Sequence, residues 1–385
     1  MSLTGNWNYP TPIRFGAGRI AELADACRTL GMQRPLLVTD KGLAQLPITL
    51  AAASALVSAG LADDIESAVF ADVDPNPNGE NLDAGLARYR AGQHDGVVAF
   101  GGGSGLDLGK SIAFMARQNR PIWDFEDVDD RWTRADPEGI DPIVAVPTTA
   151  GTGSEVGRAS VLTNASTQQK KIIFHPKMLP GVVIADPELT VGMPSAITAG
   201  TGMDAFAHCL EAFCSPHYHP MSQGIALEGM RLVNEYLPRA YAEGDDIEAR
   251  AHMMSAAAMG ATAFQKGLGA IHALSHPIGA VHHTHHGTTN AVVMRPVLEF
   301  NRSAVEERLA AAARYLGIGN DFDAFVARVV VLNELLGIPK NLTALGVTNP
   351  DIDALVASAL IDPSVGGNPV AMTAGNTRAL LERCF

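Results

Sequence analysis

The chain has 385 residues, 28 Lys and Arg against 41 Asp and Glu, and 47% hydrophobic residues. That composition suits a sizeable core in about two to three domains and excludes a disordered chain or a miniprotein. A net charge of −13, with Lys and Arg scattered singly, leaves no basic face for a phosphate backbone, so nucleic acid is not an expected partner.

Up to residue 186, β-branched runs at Pro35–Thr39, Ser67–Phe70, Gly96–Phe100, Ile143–Val146 and Val182–Ala185 read as strands, and stretches near 18–30, 48–60, 80–91 and 104–117 as helices. Strands separated by segments of helical length imply a parallel sheet with right-handed crossovers. From Pro187 the β-branched runs fade, and Ala, Leu, Met and Glu recur at helical spacing through 195–213, 221–240, 246–264, 303–316 and 321–336. The expected fold class is therefore an α/β domain over 1–186 followed by an all-α domain over 187–385, the boundary falling at Ala185-Asp186-Pro187. The four cysteines, Cys27, Cys209, Cys214 and Cys384, are too few and too irregularly spaced for a disulfide framework or a Cys-type zinc site, which points to a reducing cytoplasm. The amino terminus lacks a secretion-signal pattern and no apolar run reaches membrane-spanning length, so no membrane partner is expected.

Two glycine-rich segments follow strands. Gly101-Gly102-Gly103-Ser104-Gly105 leads from a buried strand into a helix that Ser104 is expected to cap, an arrangement suited to a diphosphate. Leu106 stands where the third glycine of a Rossmann fingerprint belongs, and a tight turn without ligand explains the glycines almost as well. The second segment, Pro147-Thr148-Thr149-Ala150-Gly151-Thr152-Gly153-Ser154-Glu155, tips the reading towards a long nucleotide. Asp40, at a third strand end, either accepts from a ribose diol and repels a 2′-phosphate, favouring NAD over NADP, or caps the next turn.

Six of the 12 histidines lie between 272 and 286. Asp204 and His208 sit at i and i+4, on one helical face, and His272 and His276 repeat that spacing. Pro277 and Gly279 make a continuous helix to His286 doubtful, so the later histidines enter from a loop or a second helix. Imidazoles with one carboxylate suit Fe²⁺ or Zn²⁺ rather than Mg²⁺ or Ca²⁺. Taken alone, Asp204/His208 reads as a helix-surface pair. His282, His283 and His285 read as solvated loop residues, and His94, His175 and His252 as structural.

These motifs, with Gly101-Gly-Gly-Ser-Gly-Leu-Asp107-Leu-Gly-Lys110, Gly202-Met-Asp204-Ala-Phe-Ala-His208, Gly269-Ala-Ile-His272-Ala-Leu-Ser-His276-Pro-Ile-Gly279, His286-Gly287 and Asp362-Pro-Ser-Val-Gly-Gly-Asn-Pro369, resemble the iron-containing (group III) alcohol dehydrogenases from about Ile13 onward. The resemblance implies a dinucleotide-binding domain followed by a helical metal and substrate domain. It implies NAD held by Asp40, Gly101, Gly102, Gly103, Ser104, Asp107, Thr148, Thr149, Thr152 and Lys170, with Lys171 the alternative to Lys170. A divalent iron, or zinc, is implied at Asp204, His208, His272 and His286, with Phe264 in the substrate pocket. His276 matches a position for proton transfer, with packing on the same helix as the equal alternative. The implied reaction is hydride transfer between NAD and a small alcohol or its aldehyde or ketone, in at least a dimer; an amino-terminal strand such as Ile13–Phe15 is a candidate for pairing across a two-fold. His217, His219 and Gln265-Lys266 depart from the family pattern and bear on the substrate, not the reaction. The rival readings are a maleylacetate-reductase-like or polyol dehydrogenase, a metal-dependent hydrolase with Glu155 or Glu211 as base, and a histidine-rich storage protein.

Overall fold

A computed structural model describes residues 11–167 and 169–385. They fall into two compact units. One comprises 11–149 with Gly153–Val191, the other Ala150–Thr152 with Gly192–Phe385.

The first unit is built on a six-stranded parallel sheet in the order β1 (Ile13–Phe15), β8 (Val182–Ala185), β5 (Ile143–Pro147), β4 (Gly96–Gly101), β2 (Pro35–Val38), β3 (Val69–Phe70). Every residue of β2, β4, β5 and β8 is buried, as expected where helices cover both faces of a parallel sheet. The helices are α1 (Leu23–Thr29), α2 (Pro47–Ser58), α3 (Ile65–Ala68), α4 (Gly79–Ala91) and α5 (Gly103–Met115). Leu23, Ala26, Cys27 and Leu56 pack on Leu37, Val98, Phe100, Val144 and Ile184 in one apolar cluster. The run Ser67–Phe70 is only half strand. Asp64 and Ser67 form a capping box that winds Ile65–Ala68 into a helical turn, leaving Val69–Phe70 for the sheet. The expected helix cap at Ser104 is also corrected. The helix starts at Gly103, with Gly102, two residues before Ser104, as its cap, and the Ser104 hydroxyl donates to the Pro75 carbonyl at 2.6 Å. An antiparallel hairpin, β6 (Ala159–Asn164) with β7 (Gln169–Phe174), completes the unit.

In the second unit α6 (Ser195–Cys214) is buried at every position from Thr198 to Cys214 and is its central helix. Around it lie α7 (Pro220–Ala242), α8 (Ile247–Ala263), α9 (Ala270–His282), α10 (His286–Leu316), α11 (Phe322–Leu335), α12 (Ile352–Leu360) and α13 (Ala374–Glu382). Asp246, Asp321 and Asp351 cap α8, α11 and α12 by accepting from the third backbone N–H of each. The expected helix at 303–316 is the distal half of α10, which runs through Pro296 from His286. Among the described residues no helix is long and apolar enough to cross a membrane.

Candidate active site

The break between α9 and α10 places the late histidines. His283 adopts a left-handed conformation, φ 55°, and ends α9, while His285 accepts from the Thr288 N–H and caps α10. His286 thereby becomes the first residue of a new helix, aimed at α6. Gly287 allows the two helices to meet, since a Cβ there would fall 2.0 Å from the Gly200 carbonyl oxygen and 2.9 Å from the Asp204 Cβ.

Asp204 and His208 on α6, His272 on α9 and His286 on α10 converge. Asp204 Oδ1 stands 3.8 Å from His208 Nε2, 3.7 Å from His272 Nε2 and 3.4 Å from His286 Nε2. A tetrahedral shell with ligand bonds of about 2.0–2.2 Å has edges of about 3.3–3.6 Å, so the donor atoms already stand at nearly the separation one divalent ion needs. Asp204, His208 and His272 are buried, and their ligand atoms all lie within 4.8 Å of one another, a group that could hold a metal ion. One carboxylate with imidazole nitrogens is the donor set of iron or zinc, and the residues therefore fit the metal. Burial would raise the Asp204 pKa, but the surrounding imidazoles hold it well below the usual carboxylate range. Burial pushes His208 down to about 4 and keeps it neutral, the form that binds metal.

Phe264 meets the His208 ring edge-on, with centroids 5.1 Å apart. His276 lies one turn beyond His272. It stacks on His286 at 5.2 Å, and its Nδ1 bonds Asp362 at 2.8 Å. Of the remaining histidines, His219 caps α7 through the Ser222 N–H, His175 accepts from the Lys177 N–H, and His252 stacks on Tyr236.

In the first unit, residues expected to hold a nucleotide meet at the carboxyl ends of the central strands. Gly101 pairs with Pro147, and the Thr148 N–H donates to the Gly101 carbonyl at 2.9 Å. Gly101 has φ +144°, a conformation that glycine takes without strain, and it turns the chain into the amino terminus of α5. That terminus, with its free amides, suits a diphosphate. A Cβ on Gly102 would lie 3.2 Å from Thr149, and one on Gly101 3.7 Å from Asp40 Oδ2. The Thr148 hydroxyl is buried without a hydrogen-bond partner, as a group reserved for a ligand would be. Asp40 Oδ1 accepts from the Gly42 and Leu43 N–H groups, which is the capping role. Asp107 is engaged on both oxygens. Oδ1 accepts from the Ser154 hydroxyl, Oδ2 from the Val161 N–H, and Lys110 Nζ lies 3.3 Å away. It ties the hairpin to α5. Lys170 sits in β7 opposite Thr163, and Thr152 belongs to the segment that packs with the helical unit.

Residue-level reading missed the supports of this centre. Glu211 appeared there only as a hydrolase base, yet it bonds His272 Nδ1. Asn290 donates to Asp204 Oδ1 at 2.8 Å. The available signal was spacing. Glu211 continues the Asp204/His208 stripe at i+7, and Asn290 is i+4 from His286.

Residues 10–187 match the family described as iron-containing alcohol dehydrogenase, and residues 198–385 match its C-terminal family. The 4-hydroxybutyrate dehydrogenase of Cupriavidus necator is 38% identical over 385 residues, covering 97% of this chain and 98% of that protein. A crystal structure of 1,3-propanediol oxidoreductase superposes with a TM-score of 0.92 at 35% identity, over 99% of this chain and all of that one. Sulfoacetaldehyde reductase from Bifidobacterium kashiwanohense, solved in complex with NAD+, gives a TM-score of 0.87 at 33% identity over 99% of both chains.

Proposed function

The chain belongs to the iron-containing alcohol dehydrogenase family, and from that premise we propose that Asp204, His208, His272 and His286 hold its iron while His276 handles the proton. It is an NAD-dependent oxidoreductase acting on alcohols. The observation that carries the assignment is the convergence of one buried carboxylate oxygen and three imidazole nitrogens at 3.4–3.8 Å.

A divalent iron held by these residues would supply Lewis acidity towards the substrate oxygen, and bound NAD would supply the hydride acceptor. The protein's part is to hold and to move protons. Asp204 offsets one of the two positive charges, and the neutral rings supply lone pairs without adding charge. His276 gives its Nδ1–H to Asp362, which leaves the Nε2 lone pair to take the proton that an alcohol must lose. Asp40, Gly101, Gly102, Gly103, Ser104, Thr148, Thr149, Thr152 and Lys170 hold the NAD. Asp107 contributes by fixing the hairpin, and Phe264 lines the substrate pocket beside His208.

The 4-hydroxybutyrate dehydrogenase, the 1,3-propanediol oxidoreductase and the sulfoacetaldehyde reductase are named for short molecules with a second polar end, and a short alcohol or aldehyde of that kind is the substrate this reading favours. We place the functional boundary between NAD-binding and metal-binding halves at 186/187, five residues ahead of the division of the compact units at Val191/Gly192. A cytoplasmic location is supported by four buried free cysteines. Assembly into at least a dimer is supported by the edge strand β1, where Ile13 and Phe15 are 36% and 41% exposed.

The test is NAD reduction by the purified iron-loaded protein with a panel of primary alcohols, diols and ω-hydroxy acids. Turnover should be highest with a short bifunctional member, and His276→Ala should lower kcat while leaving NAD affinity nearly unchanged. No turnover with any member, or unaltered kcat in that variant, contradicts the corresponding assignment.

A further inference from the structure

Asp204, His208 and Glu211 occupy i, i+4 and i+7 of α6, so one stripe of the central helix carries two proposed metal ligands and a third polar group. Glu211 is buried, and both its oxygens are engaged at the start of α9. Oε1 accepts from the Ile271 N–H at 2.6 Å, and Oε2 lies 2.5 Å from His272 Nδ1. An ionised carboxylate has no hydrogen to give, so the proton of that contact is on Nδ1. On the other side of the ring, Asn290 Nδ2 is 3.3 Å from His272 Nε2 and donates to Asp204 Oδ1. The same amide lies 3.2 Å from His286 Nε2, so it is the Glu211 contact that selects the tautomer in which Nδ1 carries the proton and Nε2 is left for a ligand bond. His208 has no such tether, since its Nδ1 is buried without a hydrogen-bond partner.

We propose that Glu211 is the positioning residue of the metal centre. It fixes the tautomer and ring angle of His272 so that Nε2 is presented as a ligand, and its charge makes that nitrogen a stronger donor. This rests on the reading of His272 as a ligand. The substitution Glu211→Gln nearly preserves shape but leaves one acceptor where the Ile271 N–H and His272 Nδ1–H both require one. The amide's own N–H then faces one of them, and the ring is driven towards the tautomer that hides its ligand lone pair.

The experiment measures Co²⁺ affinity of the metal-stripped protein by competition with a chelator, with no NAD or substrate present. Glu211→Gln should bind Co²⁺ about 10–100-fold more weakly than the unaltered chain. In a His272→Ala background the same change should have no further effect. Should Glu211→Gln not fold, Glu211→Asp, which keeps the charge but withdraws it by one methylene, carries the same comparison. Unchanged affinity, or an equal loss in both backgrounds, overturns the proposal and leaves Glu211 only packing α6 against α9. An unaltered protein that binds no Co²⁺ instead overturns the ligand assignment, and the proposal with it.

Discussion

A carboxyl group taken out of water keeps its proton to higher pH, and burial pushes Glu155 up to about 7 although Lys110 opposes the shift. In the unfolded chain the same group titrates near its ordinary value of 4.5. Between those two pH values the folded protein binds more protons than the unfolded one, so stability falls as pH rises through the window. The full change is roughly 3 kcal/mol across about 2.5 pH units. Glu155→Gln should flatten this dependence, as read from urea midpoints at pH 5 and pH 8, whereas an identical slope in the variant contradicts it. Glu155 is thus a buried carboxyl group of the second glycine segment whose ionised form the fold disfavours. Asp40 is similar in that one oxygen serves the turn while the other lies near Gly101. Capping and nucleotide contact, alternatives in the sequence, are compatible in one side chain.

Beside Asp204, α6 and α10 meet at Gly200 and Gly287 with no room for a Cβ on Gly287. Gly287→Ala forces a methyl group against the Gly200 carbonyl and should cost about 1–3 kcal/mol of stability, with weaker metal retention because Asp204 and His286 are pushed apart. Thermal melting with parallel metal analysis checks this; a variant with unaltered melting temperature and metal content refutes the close-approach argument. Elements with a uniform pattern were legible in the sequence. The fully buried β2, β4, β5 and β8 are continuous apolar runs, and α6, α7 and α8 repeat at helical spacing. The hairpin β6–β7 was not, because half-buried Ala159–Asn164 and polar Gln169-Lys170-Lys171 carry little apolar contrast. The first half of α10 was obscured by Pro296, which normally ends a helix, and by the polar start His286-Gly287-Thr288-Thr289-Asn290. Short α12 and α13 offer only nine residues each to a periodicity argument. Within the site, residue types pointed to the candidate ligand histidines. Glu211, Asn290 and Asp362, which bond His272, Asp204 and His276, are ordinary polar residues whose roles depend on which helix faces them.

At the scale of the whole molecule, a parallel α/β unit presents strand ends, a glycine turn and a helix amino terminus, while a helical unit gathers an acid and three imidazoles around its buried central helix. Neither set alone accounts for alcohol oxidation. The metal set without a nucleotide is a storage or hydrolytic centre, and the nucleotide set without a metal offers nothing that draws a proton from an unactivated alcohol. The claim that both serve one reaction is tested most directly by stripping the protein with a chelator and following NADH absorbance with an oxidisable alcohol before and after Fe²⁺ is restored. Turnover should vanish on stripping, return in proportion to iron up to one ion per chain, and fail to return in His272→Ala. A stripped protein that reduces NAD at the undiminished rate would contradict the account.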